Sequence, residues 1–150
     1  MASILTLDEL DALRGQELSS EQLRSLFLSL ESDDEETRAA SCDCLTDLPQ
    51  LPVSEMDVVL GFVKNVSDAR GLWALRVLCN HFGDHEKTQS ALAQALLAGT
   101  LPVKQEAAKS LSKIKSDGQA LLPQSVTALA AQLKSTDPRL LRFVQLALET

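Results

Sequence analysis

The sequence predicts an all-α fold, built from about four stacked helix pairs behind a short leading helix. The first observation is a pattern that recurs four times. With Arg38, Arg70, Lys104 and Leu141 aligned as position zero, the residues twelve and eight earlier are Leu26/Leu30, Val58/Phe62, Leu92/Leu96 and Leu129/Leu133, and those seven later are Leu45, Val77, Leu111 and Leu148. The zero positions lie 32, 34 and 37 residues apart, a period at which helical hairpins repeat and stack. The second observation is composition. Hydrophobic residues make up 45% of the chain with only 3% aromatics and no Tyr, which suits helices packed through Leu, Ala and Val better than a sheet. The third is punctuation: capping residues, Gly or Pro fall between the periodic segments where helices must start and stop. A chain of 150 residues buries roughly two-thirds of its unfolded surface as one domain, so no disulfide or metal is required.

The elements follow in order. Thr6 with Glu9 makes a capping box and Gly15 supplies a stop, giving a leading helix near 6–14 with Leu7, Leu10 and Leu13 on one stripe. Residues 1–18 are thus expected to cap the exposed flank of the first repeat. Helix pairs are expected near 20–31 and 34–48, 54–66 and 68–82, 86–98 and 102–115, and 122–134 and 137–149. The corresponding repeats span about 19–50, 51–83, 84–118 and 119–150. Within pairs, Ser32-Asp33-Asp34, Ser67-Asp68, Gly99-Thr100-Leu101-Pro102 and Ser135-Thr136-Asp137-Pro138 place caps, or Pro in the first turn, where each second helix begins. Between pairs, Pro49 to Pro52, Gly83-Asp84 and Asp117-Gly118 interrupt the helix.

Charge and composition narrow the classes of partner. The net charge of −7 argues against general affinity for nucleic acid, which depends on clustered Lys and Arg. The charge is unevenly spread: residues 1–75 carry 15 acidic and 5 basic groups, whereas residues 76–150 carry 6 and 9. No stretch approaches the ~20 apolar residues of a membrane span, and Met1 to Glu9 lacks the features of a signal peptide. Cys42, Cys44 and Cys79, odd in number and within helical segments, point to a reducing compartment rather than a disulfide framework. A cytoplasmic location is expected.

Catalytic and metal motifs are weak. Cys42 and Cys44 are two apart on a helix and point about 200° away from each other, so they suit packing rather than one shared ion. His81 and His85 have i, i+4 spacing, but Gly83-Asp84 should end the helix between them, leaving two exposed histidines at a repeat junction. There is no Gly-rich phosphate loop, nucleophile elbow or Cys/His couple. No cofactor, metal or catalytic residue is therefore assigned. Asp33-Asp34-Glu35-Glu36 opposes a helix dipole, as do Lys109 and Lys113 at the other end of a helix.

The zero positions and their surroundings resemble the HEAT-repeat (armadillo-like) family, whose second helix commonly begins Asp-Pro-x-Val-Arg-x-x-Ala-x-x-x-Leu. The corresponding stretches are Thr37-Arg38 with Ser41 and Leu45, Ala69-Arg70 with Trp73 and Val77, Val103-Lys104 with Ala107 and Leu111, and Asp137-Pro138-Arg139-Leu140-Leu141 with Val144 and Leu148. Lys104 and Leu141 depart from the family's Arg, which interrupts the Asp/Arg ladder that such proteins often carry. Tetratricopeptide repeats are the structural alternative, though their Trp, Gly and Tyr signposts are missing. The resemblance implies a right-handed α-solenoid whose second helices line a concave face, and hence a non-catalytic protein-binding or scaffold module. An enzyme or metal protein on the same scaffold, including the di-iron type that needs His-Glu pairs on several repeats, and a self-assembling regulatory subunit are the alternatives. Only His85-Glu86 forms such a pair here.

At 100° per residue, positions one, five and eight after zero face away from the expected core. They are Ala39/Asp43/Thr46, Gly71/Leu75/Leu78, Gln105/Lys109/Ser112 and Arg142/Leu146/Glu149. Asp43, Leu75, Leu78, Lys109, Arg142 and Leu146 are accordingly the candidate protein-binding residues, on a face that runs from acidic to basic. Leu75 and Leu78 form either an exposed contact patch or a surface covered by neighbouring second helices. The last helix, with Leu140, Leu141, Phe143, Val144, Leu146, Ala147 and Leu148, has little polar face. It is expected to dock on a second copy as a homodimer, to dock on a partner, or to fold back on the preceding repeat.

Overall fold

The structure, a computed structural model, describes residues 3–63 and 71–149. These residues are all-helical: α1 (Leu7–Leu13), α2 (Ser20–Ser29), α3 (Glu35–Thr46), α4 (Met56–Val63), α5 (Gly71–Phe82), α6 (Glu86–Ala98), α7 (Leu101–Ser116), α8 (Pro123–Ala131) and α9 (Pro138–Leu148). Single 3₁₀ turns precede α4 at Val53–Glu55 and follow α8 at Gln132–Lys134. The Ser67-Asp68 cap, Ala69 and Arg70 lie outside the described residues.

Local chemistry sets the helix starts. The Thr6 hydroxyl accepts the Glu9 N–H at 3.2 Å while the Glu9 carboxylate accepts the Thr6 N–H at 3.1 Å. Ser19 and Gln22 make the same reciprocal pair, at 3.2 and 2.8 Å, to start α2. Asp34 and Asp137 cap α3 and α9 by accepting the Thr37 and Leu140 N–H groups at 3.0 and 2.7 Å. Both carboxyls are held below the usual range, Asp34 chiefly by its bond from the Thr37 side chain and Asp137 chiefly by its bond from Gln105. Gly15 and Gly118 follow α1 and α7 at φ +77° and +93°, the left-handed backbone that a residue with a Cβ disfavours.

Two rows of helices result. One runs α1, α3, α5, α7, α9, each packed on the next; the other holds α2, α4, α6 and α8, each paired with the helix that follows it in the chain. In the second row α6 packs on α8, and Phe27 of α2 approaches Phe62 of α4 with ring centroids 6.2 Å apart. Between the rows lies an aliphatic core that includes Leu26, Leu30, Leu45, Val59, Leu78, Leu92, Leu96, Leu111, Leu129 and Val144. Each fully buried leucine contributes about 1.5–3 kcal/mol relative to exposure, so the interface between rows is the main source of stability.

The burial pattern departs from the sequence-based alignment first in the second helix pair. In the second pair the buried first-helix residues are Val59 and Val63, not Val58 and Phe62, so position zero moves from Arg70 to Gly71. Three second helices then match in full, and α9 shares the third and sixth positions, with Val144 and Ala147 buried but Gln145 exposed. Ser41, Cys42, Cys44 and Leu45 of α3 are buried, as are Ala74, Leu75, Val77 and Leu78 of α5, and Ala107, Ala108, Ser110 and Leu111 of α7. A one-residue offset turns a helix by about 100°, enough to exchange a core side for a neighbouring one. Leu75 and Leu78 are 0% exposed, which corrects their assignment as groove residues: Leu75 stands where Cys42 and Ala108 stand, and Leu78 where Leu45 and Leu111 stand.

A second correction concerns Leu133. The chain tightens to 3₁₀ geometry after Ala131, which leaves Leu133 51% exposed and buries Gln132 instead. The Gln132 amide donates to the Leu96 carbonyl at 2.9 Å, satisfying an orphan acceptor in the last turn of α6. The apolar C-terminal helix has a simple explanation: Leu140, Val144 and Ala147 are buried, and α9 packs against α7 and α8.

Candidate functional site

The row α3, α5, α7, α9 presents one outward position from each helix, five residues after position zero in the corrected register: Asp43, Arg76, Lys109 and Leu146. Asp43 and Lys109 are exposed, Leu146 is 39% exposed, and Arg76 is half-buried. Arg142, on the turn of α9 before Leu146, is exposed as well. Of the six candidate binding residues, Asp43, Lys109, Arg142 and Leu146 therefore lie on this row's outer side, whereas Leu75 and Leu78 do not. Arg76, Cys79, Asn80 and Lys113 belong to the face and were missed. They come into line only when the second repeat is aligned on Gly71, which places Arg76 and Cys79 level with Asp43 and Thr46, and the packing rather than the sequence pattern selects that alignment.

Charge changes sign along the row. At the α3 end, Asp47 Oδ2 accepts from Arg14 Nε of α1 at 2.6 Å, so α1 contributes a cation to the acidic end. In the middle, Arg76 Nε donates to Glu106 Oε1 at 2.8 Å, with a second contact of 3.4 Å to Oε2, and the Arg76 guanidinium lies 5.0 Å from the centroid of the Trp73 ring. Glu106 is 8% exposed, so this pair fixes Arg76 and compensates a buried carboxylate. The Glu106 bond, more than any other influence, raises the pKa of Arg76 further. Next come Lys109 and Lys113, one turn apart on α7, with no carboxylate within ion-pair distance among the described residues.

Between α3, α5 and α7 the surface dips into a hollow of about 270 Å³, lined by Thr46, Arg76, Cys79, Asn80, Glu106, Lys109, Ser110 and Lys113. Cross-helix bonds join α5 to its neighbours around the hollow. The Asn80 amide donates to the Thr46 carbonyl at 3.2 Å, and His81 Nε2 lies 2.6 Å from the Leu45 carbonyl. A carbonyl only accepts, so Nε2 carries the proton. Both bonds satisfy acceptors in the last turn of α3. Cys79 Sγ donates to the Ser110 carbonyl at 3.7 Å.

The other residues considered for chemistry are occupied by packing. Cys42 and Cys44 point to opposite neighbours, Cys42 Sγ to the Trp73 carbonyl at 3.7 Å and Cys44 Sγ to the Leu10 carbonyl at 3.2 Å. Burial pushes the Cys42 thiol up to about 12 and raises that of Cys44. α5 ends at Phe82, so His85 lies off its end as the residue preceding α6. Both histidines are half-buried rather than exposed, His81 with its ring bonded to α3. Among the described residues no three His, Cys, Asp or Glu side chains converge as a metal-binding group, and no helix is long and apolar enough to cross a membrane. Comparisons with protein-family models, curated proteins and solved structures find no significant match to the chain.

Proposed function

We propose that the chain is a small α-solenoid of HEAT-like helix pairs that acts as a non-catalytic protein-binding module, with the partner lying across the outer side of α3, α5, α7 and α9. The observation that carries this reading is a recurrence in all four second helices: the third and sixth positions after zero are buried (Ser41/Cys44, Ala74/Val77, Ala107/Ser110, Val144/Ala147), and the fifth is turned outward as Asp43, Arg76, Lys109 and Leu146. Nearest-neighbour packing within that row supports the solenoid, because the main contacts of each helix there are with the helix before and the helix after it. Three free thiols at buried or half-buried sites fit a reducing, cytoplasmic location.

Binding to a second copy through the last pair is the alternative within the same class. It draws on Val126, Leu133 and Leu146, which are 41%, 51% and 39% exposed, although most of the apolar side of α9 is already spent on α7 and α8. Sedimentation at micromolar concentration separates the two, since a monomer removes self-association. The main reading is tested by affinity capture from lysate with three proteins: wild type, a variant carrying Asp43→Lys and Arg142→Glu, and a control carrying Leu97→Asp on α6. Partners lost with the first variant and retained with the control support the face. Identical capture by all three overturns it.

A further inference from the structure

We propose that the hollow between α3, α5 and α7 is the seat for an acidic side chain of an extended peptide segment, with Lys109 and Lys113 as its charge partners. This rests on the protein-binding reading above and names the chemistry of the partner.

Three observations converge on it. First, the charges in the hollow do not cancel. Arg76 and Glu106 neutralise each other at 2.8 Å, which leaves the charges of Lys109 and Lys113 uncompensated above a recess with hydroxyl and amide groups from Thr46, Ser110 and Asn80 at its rim. Ammonium groups on flexible stems can close on a carboxylate that enters between them. Second, the size fits one side chain. At about 270 Å³ the hollow falls below the ~300–1,000 Å³ typical of sites that enclose a free small molecule. Third, the surroundings reject a polyanion. Asp43 is exposed on α3, and Asp117 lines the adjoining depression beside Lys113. A run of phosphates laid over Lys109 and Lys113 would extend to Asp43 on one side and Asp117 on the other, whereas a single Asp or Glu stays between the lysines and meets Glu106 only as the partner of Arg76. The same arrangement gives the bound segment a direction. Its acidic residue lies over α7, and any basic residue is drawn toward Asp43 on α3.

The test is selection of peptides from a random displayed library on the wild-type protein, followed by titration of the selected peptides, with Trp73 fluorescence as a local reporter because Trp73 stacks on Arg76. The expected result is enrichment of Asp or Glu at one fixed position, binding that weakens as salt rises, and a loss of about tenfold or more in the Lys109→Glu/Lys113→Glu variant. Replacing the acidic peptide residue by Lys should then restore affinity for that variant. Both lysines are exposed, so the variant should keep the wild-type melting curve; if it does not, Lys109→Gln/Lys113→Gln takes its place. Peptides without an acidic position, peptides bound equally by the variant, or an oligonucleotide bound at these lysines more tightly than any peptide would overturn the seat. Peptides that ignore Lys109 and Lys113 but are lost with Arg142→Glu/Leu146→Asp overturn the seat while preserving the binding face. If no selected peptide depends on any of these residues, or none is selected, both proposals fall.

Discussion

Leu75 is 0% exposed and belongs to the core of α5. Aligning the repeat on Arg70, the basic residue nearest the Arg of the HEAT-like motif, turns Leu75 outward, whereas the packed position is Gly71. Nothing in the hydrophobic pattern of Leu72-Trp73-Ala74-Leu75-Arg76-Val77-Leu78 distinguishes the two phases, because apolar residues occupy nearly every side of that helix. Only the fit against α3 and α7 selects one. At 0% exposure, Leu75→Ala should cost about 2–5 kcal/mol in urea denaturation, and a cost below 1 kcal/mol would return Leu75 to the surface. The buried cysteines were legible because two residues apart on a helix must diverge, and they do. Cys42 also makes a pH prediction. Its thiol is pushed up to about 12, chiefly by desolvation, so the folded state favours the neutral form more than the unfolded chain does. That contribution is complete below the unfolded value of about 8.5 and is lost as pH rises from there through the folded value. The difference in melting temperature between wild type and Cys42→Ala should therefore move against wild type between pH 8 and pH 11; a constant difference would show that folding does not change the pKa of the thiol.

Helices were legible almost to the residue where a cap names the start, as at Thr6, Asp34 and Asp137, and less so where the last turn depends on a distant acceptor. The end of α8 illustrates the second case. Leu133 continues the leucine spacing, but the Leu96 carbonyl draws Gln132 inward and the turn tightens. Gln89 does similar work at the start of α8: its amide donates to the Ala120 carbonyl at 3.1 Å and its oxygen accepts from Leu122 N–H and the Ser125 hydroxyl at 2.8 and 3.0 Å. A buried polar bracket between residues more than 30 apart leaves no mark on local periodicity. Two glycines offer opposite tests at this scale. A Cβ on Gly99, in the turn from α6 to α7, would sit 2.5 Å from the Ala95 carbonyl oxygen and 2.7 Å from Val103 Cγ1, whereas one on Gly61 in α4 meets nothing within 4 Å. Gly99→Ala should destabilise by about 1–3 kcal/mol, and Gly61→Ala should stabilise by about 0.5–1 kcal/mol through helix propensity and reduced freedom of the unfolded chain. Chemical denaturation of the two variants in parallel checks both signs, and a gain at Gly99 would mean that the turn relaxes to admit the methyl group.

For the whole molecule, the informative quantity is how stability is distributed along the two rows. A closed bundle wraps one core that every helix shares, and it tends to open as one unit. A stack of pairs has ends. α1 packs chiefly on α3, and α9 on α7, α8 and the turn Gln132–Lys134, while α5 and α7 have packed neighbours on both sides. Stability is then approximately a sum of pair and nearest-neighbour contributions, and the outer elements can open without the middle. The charge layout adds to the asymmetry: the acidic end holds Asp43 and Asp47, with Arg14 engaged at Asp47, while the basic end holds Lys109, Lys113 and Arg142. Native-state hydrogen exchange should accordingly show the slowest amides in α5, α6 and α7, and protection declining toward α1 and α9. Leu10→Ala, which removes a fully buried side chain of α1, should speed exchange in α1, α2 and α3 and leave α7 unchanged. If every helix exchanges with one common free energy, and if Leu10→Ala lowers it equally in α1 and α7, the rows form one closed cooperative core. The stack that supports the proposed binding face is then not the right description.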